Sequence, residues 1–137
     1  MIKKYKKITD EYTTYTMVEP DYQDGGARAT ELCTINGETY VHIPDDVVLH
    51  QQPRQIIVED TTLTDELKAE IKAASPHVRL INSRVVGMIR DKYTFDDELK
   101  MHREFVQNGS TPETRAYITH VAECRTWGQE QKTLIGL

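Results

Sequence analysis

At 137 residues the chain has the length of one ordinary domain and can bury roughly two thirds of the surface its unfolded form exposes, so it needs no disulfide or metal staple. Apolar side chains make up 38% and charged ones 28%, a lean supply of core material that points to a part of the chain being extended or partner-dependent. The formal charge of −5 is concentrated in the first half: residues 1–60 hold 6 basic against 11 acidic residues, while residues 61–137 hold 11 of each, which excludes a nucleic-acid footprint on the first half.

Residues 1–28 form a polar segment punctuated by Tyr5, Tyr12, Tyr15 and Tyr22 and closed by Gln23-Asp24-Gly25-Gly26. Its start, Met1 to Lys7, has the charge of a signal-peptide leader, but Thr9 to Thr16 is polar where an apolar stretch is required. Nothing later approaches the ~18 apolar residues of a membrane span, so a soluble protein made in the cytoplasm is expected. Tyr12 to Val18 has strand propensity without a visible buried face. Two readings stand for residues 1–28: a loosely attached terminus, or an arm ordered by adding a strand or its tyrosines to a neighbouring subunit.

Thr30–Ile35 and Glu38–Ile43 flank Asn36-Gly37, the pair that best tolerates the two positive φ angles of a type I′ turn, so a β-hairpin is predicted. In that register Leu32 faces Val41. Leu32, Val41 and Ile43 then share one face, with Cys33, Ile35, Tyr40 and His42 on the other, and the hairpin lies between other elements. Val47-Val48-Leu49 and Ile56-Ile57-Val58 suit strands that extend this sheet, or extended connectors over the helices.

Four helices follow. Thr62 or Thr64 caps the first, with Leu63, Leu67, Ile71 and Ala74 as its stripe. Ser75-Pro76 ends it and starts the second, Pro76 to about Lys92, where Val78, Ile81, Val85, Met88 and Ile89 make the most apolar face of the chain and mark a central helix. Thr94 caps the third, on which Phe95, Leu99, His102 and Val106 recur on one face, read as its inner face, and Asn108-Gly109 ends it. Thr111-Pro112 opens the fourth, with Tyr117, Val121 and Cys124 as its stripe; it either passes through Gly128 toward Leu134 or breaks there. The predicted class is α+β: an extended N-terminal arm (1–28), a β-hairpin with short strands (29–60), and a four-helix C-terminal half (61–137) forming one compact domain with 29–60.

Candidate chemistry is sparse. His42, His50, His77, His102 and His120 fall on separate elements without metal-ligand spacing, and no CxxC, HExxH, GxGxxG or GxSxG is present. Asp96-Asp97-Glu98 is a carboxylate cluster whose place in a helix's first turn already accounts for it. Cys33 and Cys124 read as two reduced, buried thiols, with a disulfide between them as the alternative. No catalytic, metal or cofactor residue is assigned, and no small-molecule substrate is expected. Partner contacts are expected instead from Tyr5, Tyr12, Tyr15, Tyr22, the sole tryptophan Trp127, and the apolar tail residues Leu134, Ile135 and Leu137.

The run Leu67-Lys68-x-Glu70-Ile71-Lys72, Ser75-Pro76-His77-Val78-x-Leu80-Ile81-Asn82, Val85-Val86, Ile89-Arg90-x-Lys92-Tyr93 and Asp97-Glu98-Leu99-Lys100 resembles small proteins of tailed bacteriophages. The ending from Tyr117 through Trp127-Gly128 to Gly136-Leu137 is similar too. The resemblance implies a non-enzymatic structural protein of the virion, at the tail, its fibres or a connector, synthesised in the host cytoplasm and bound to other virion proteins in an oligomeric assembly. The alternative it leaves is an intracellular phage binding module or assembly accessory acting on a host or phage protein. Neither role involves nucleic acid or membrane.

Overall fold

The computed structural model describes residues 1–20 and 28–137; Tyr22 and the Gly25-Gly26 pair lie outside the described residues. About 49% of the described residues are helical and 16% are strand, with the strands first and four helices after them, so the fold is α+β. The chain divides into two compact units: residues 1–78 with 135–137, and residues 79–134. The boundary therefore falls inside a helix, after Val78, and not at the predicted passage from strands to helices.

The first unit holds strands β1 (Ile2–Tyr5), β2 (Ile8–Thr9), β3 (Thr14–Tyr15), β4 (Thr30–Ile35), β5 (Glu38–His42) and β6 (Glu59–Asp60), followed by helix α1 (Asp65–Ala74). The predicted hairpin is β4 and β5, and its turn has φ of 52° at Asn36 and 80° at Gly37, the left-handed pair that Asn-Gly accommodates. Its register departs from expectation. Cys33 pairs with Tyr40, but Glu31 and not Leu32 lies opposite Val41, because a bulge falls between Glu31 and Cys33. The extra residue carries Leu32 across the sheet, and it packs with Cys33, Tyr40, Ile71 and Val78 instead of Val41.

The four-stranded sheet runs β4-β5-β1-β6, all neighbours antiparallel. This overturns the reading of residues 1–28 as an arm outside the core. β1 is an interior strand, with Ile2 opposite His42 and Tyr5 opposite Thr39. Ile2 and Tyr5 are both buried, and being three apart they face opposite sides of the sheet, so each anchors a different core. Ile2 belongs with Leu32, Tyr40, Ile71 and Leu137; Tyr5 belongs with Met17, Val41, Ile43 and Ile56. Lysines are tolerated in β1 because acids of distant segments meet them: Lys3 pairs with Asp60, Lys4 Nζ lies 3.1 Å from Glu38 Oε1, and beyond the strand Lys7 Nζ lies 2.7 Å from Glu31 Oε1.

Val47-Val48-Leu49 and Ile56-Ile57-Val58 form no strands. They cross the second face of the sheet as connectors, where Ile56 is buried and Val47, Leu49 and Val58 pack against its cluster, while Val48 and Ile57 point outward. Gln52 ties this layer to the N-terminal segment by accepting from the Val18 amide at 2.8 Å. The C-terminus is drawn in as well. Gly136 has φ of 83°, and a Cβ there would lie 2.7 Å from His42 Cδ2, so only glycine lets the chain turn and place Leu137 in the core.

Thr64 caps α1 by accepting from the Leu67 amide at 3.2 Å. Ser75 ends α1, its amide donating to the Ile71 carbonyl at 2.8 Å, but its buried Oγ has no partner among the described residues and so does not cap α2. Helix α2 (Pro76–Lys92) has Val78 as its sole buried residue; Ile81, Val85, Met88 and Ile89 are half-buried, and Leu80 and Val86 are exposed. It is thus not the central helix that its composition suggests. Helix α3 (Phe95–Asn108) starts at a capping box between Thr94 and Asp97 and ends at Gly109. Helix α4 (Pro112–Leu134) starts at Thr111, whose hydroxyl accepts from the Thr114 amide at 3.2 Å while the Thr114 hydroxyl accepts from the Thr111 amide at 2.8 Å, and it runs unbroken through Gly128. Burial in the second unit gathers on α4, at Thr114, Tyr117, Cys124 and Gly128.

Candidate functional site

The residues expected to bind partners are not brought together. Tyr5 and Leu137 are buried in the core of the first unit, and Tyr15 and Ile135 pack against that core, so none of these four forms an open contact surface. Tyr12 is open at the tip of the β2–β3 turn, where the Asp10 carboxylate holds the Tyr12 and Thr13 amides. Trp127 is half-buried and lines a surface hollow with Ile118 and Ala122, and Leu134 is exposed at the end of α4.

The most connected polar group of the second unit lies where α2, α3 and α4 meet. Glu98 accepts from the Tyr117 hydroxyl at 2.7 Å through one oxygen and from Arg90 at 2.5 Å through the other. The Tyr117 ring takes Tyr93 and His102 edge-on, at centroid separations of 5.0 and 5.8 Å. His120 Nε2 lies 3.2 Å from the Met88 carbonyl oxygen, which accepts only, so that nitrogen carries the proton. Cys124 Sγ sits 3.6 Å from the same nitrogen.

The electrostatics of this group run away from proton transfer at neutral pH. Burial, and then the bond to the Glu98 carboxylate, pushes Tyr117 up to about 12. The Tyr117 bond, followed by the Arg90 bond, holds Glu98 below the usual carboxylate range. A general acid or base works best with a pKa near the working pH, and both groups have been moved the other way. The arrangement fastens three helices together. Its pH dependence follows: Glu98 has a depressed folded-state pKa, so its stabilisation is complete above the unfolded value of about 4.3 and is lost as pH falls through the folded value. Glu98→Gln is expected to lower the melting temperature of the helical unit at pH 7 and to flatten its decline between pH 5 and 3, read by circular dichroism across that range.

The three acids of the predicted cluster separate. Asp97 belongs to the Thr94 capping box, Glu98 to the three-helix clasp, and Asp96 stands exposed. No group of three metal-ligating side chains occurs among the described residues, and Cys33 and Cys124 are free, buried thiols. Among the described residues no helix is long and apolar enough to cross a membrane.

The surface that the sequence reading placed inward is on α3. Phe95, Leu99 and Val106 are 63%, 46% and 84% exposed, and no residue of α3 is buried, although α3 is the most strongly amphipathic of the four helices. The face that α3 turns to α4 is the adjacent one, carrying Glu98 and His102 against Tyr117 and Glu104 against the Thr111 hydroxyl. An open apolar hollow follows the outward stripe, lined by Leu99, His102, Arg103 and Val106. The 4-3-4 spacing of the stripe was legible in the sequence; its exposure was not. Compared with family models, curated proteins and solved structures, the chain matches none.

Proposed function

We propose that this protein is a non-enzymatic structural subunit of a tailed-phage particle, a tail, tail-fibre or connector component that binds neighbouring virion proteins in an oligomeric assembly. The observation that carries the reading is the incompleteness of the helical unit. Of its apolar side chains only Tyr117 and Cys124 are buried, while Leu80, Val86, Phe95, Leu99, Phe105, Val106, Ile118 and Leu134 stand exposed. Apolar side chains exposed in such number on so small a unit suit an interaction surface, and a subunit that completes its core with neighbours accounts for them. The phage assignment rests on the resemblance of the helical sequence. In this reading the chain is made in the host cytoplasm, ends in the virion, and uses no cofactor or metal.

A second reading, an intracellular binding module or assembly accessory, is favoured by the acidic excess of residues 1–60, which suits a basic partner. Quantitative mass spectrometry of purified particles separates the two. The structural reading expects the protein in mature virions at a fixed copy number per particle; its absence from them would hand the assignment to the accessory.

A further inference from the structure

We infer that α3 is a self-association element, and that its exposed stripe is covered by α3 of a second copy of this chain packed antiparallel about a two-fold axis. The inference rests on the subunit reading above and names one of its partners. Phe95, Leu99, His102 and Val106 follow a 4-3-4 spacing that a facing helix can match layer for layer. In the monomer Phe95, Leu99 and Val106 of the seam are exposed, while His102 at its margin touches α4, through Tyr117.

Self-complementarity selects the occupant. With two α3 helices antiparallel and the axis between Lys100 and Met101, Phe95 meets Val106 of the second copy and Leu99 meets His102 of the second copy, and the symmetry repeats both layers. The residues flanking the seam on its outer side are Asp96 and Arg103. In that register Asp96 of each copy lies beside Arg103 of the other, so one arrangement forms two opposite-charge pairs. Neither residue has an ion pair among the described residues, so both are available.

A parallel pairing is disfavoured by the same inventory. It would call on Glu98 to meet Arg103 of the second copy, but Glu98 is already held by Arg90 and Tyr117. It would also leave Asp96 unpaired and set the two acidic first turns side by side. His102 is suited to a layer beside Leu99 of the second copy because its ring is already fixed edge-on against Tyr117.

The test is sedimentation velocity of the purified full chain over a concentration series, with circular dichroism melts of every variant. The wild type is expected to pass from the 15.8 kDa monomer to a species of twice that mass as concentration rises. Val106→Asp, at an open position, is expected to keep the melt and remain monomeric. Asp96→Arg and Arg103→Asp are each expected to weaken association at least tenfold, and the double variant D96R/R103D to recover most of it. A wild type that stays monomeric throughout overturns the inference, as does a dimer indifferent to Val106→Asp or a charge swap that restores nothing. A heterologous partner on this face would appear as a monomer whose binding to purified particles is lost in Val106→Asp, and that result too overturns self-association. Particle mass spectrometry is independent of all these outcomes: a dimer missing from virions ends the structural-subunit reading alone, and a virion protein that is monomeric in solution ends the pairing alone.

Discussion

A chain shortened to begin at Lys6 is expected to lose the cooperative melt of its first unit. β1 is the strand between β5 and β6, so its removal strips β5 of one neighbour and leaves β6 with none. It also takes Ile2 from one core and Tyr5 from the other, both nearly inaccessible. Full burial of a side chain the size of isoleucine stabilises by ~1.5–3 kcal/mol. Two such anchors plus the backbone ladder amount to on the order of 5 kcal/mol, comparable with the ~5–15 kcal/mol by which a domain of this size is stable. Far-UV circular dichroism and hydrogen exchange at β5 provide the measurement. Retained amide protection at Thr39 to Val41 in the shortened chain would show that β1 is dispensable and that the N-terminus is an appendage after all.

Replacing Gly128 by valine is the second large expected effect, and it falls on the helical unit. Gly128 is buried mid-helix in α4, and a Cβ built there lies 2.5 Å from Val85 Cγ2. Valine in a helix is nearly confined to one rotamer, so Val85 has no easy route aside. In an open helix interior, alanine in place of glycine stabilises by ~0.8–1.0 kcal/mol through backbone entropy. Here overpacking of ~1–3 kcal/mol outweighs that gain, so Gly128→Ala is expected to destabilise and Gly128→Val to cost ~3 kcal/mol or more. Val85→Ala should rescue Gly128→Ala in the double variant, because the shortened side chain vacates the contested space. Additive losses in that double-mutant cycle, read from chemical denaturation, would mean that the two positions do not touch.

The parts of the fold legible in the sequence are those specified within a few residues. Thr64, Pro76, Thr94 with Asp97, Gly109 and Pro112 punctuate the helices because a cap acts on amides one turn away. Asn36-Gly37 announces its hairpin for the same reason. β1 was not legible: two apolar residues in a lysine-rich stretch carry little periodic signal, and what makes them a strand is a partner some forty residues away and acids at Glu31, Glu38 and Asp60. The tail was misjudged because its anchoring depends on the turn at Gly136 beside His42, a contact without local signature. Periodicity also showed that α2 and α3 have apolar faces, but not whether this chain supplies anything to cover them. Candidate contact residues chosen for being aromatic or terminal therefore turned out to be core at Tyr5 and Leu137, while the open stripe of α3 had been assigned to the interior.

The bulge in β4 has a bearing on whether the sheet can be extended by another strand. Among the described residues β4 has β5 as its sole neighbour, so its outer side offers unpaired amides and carbonyls of the kind that recruit another chain's strand. One surplus residue at Leu32 breaks the regular two-residue repeat of that edge and sharpens its local twist, and the Glu31 carboxylate beside it is exposed. An incoming strand would find the spacing wrong by one residue halfway along and a charge next to the fault. The sheet is thereby kept from growing sideways into a ribbon.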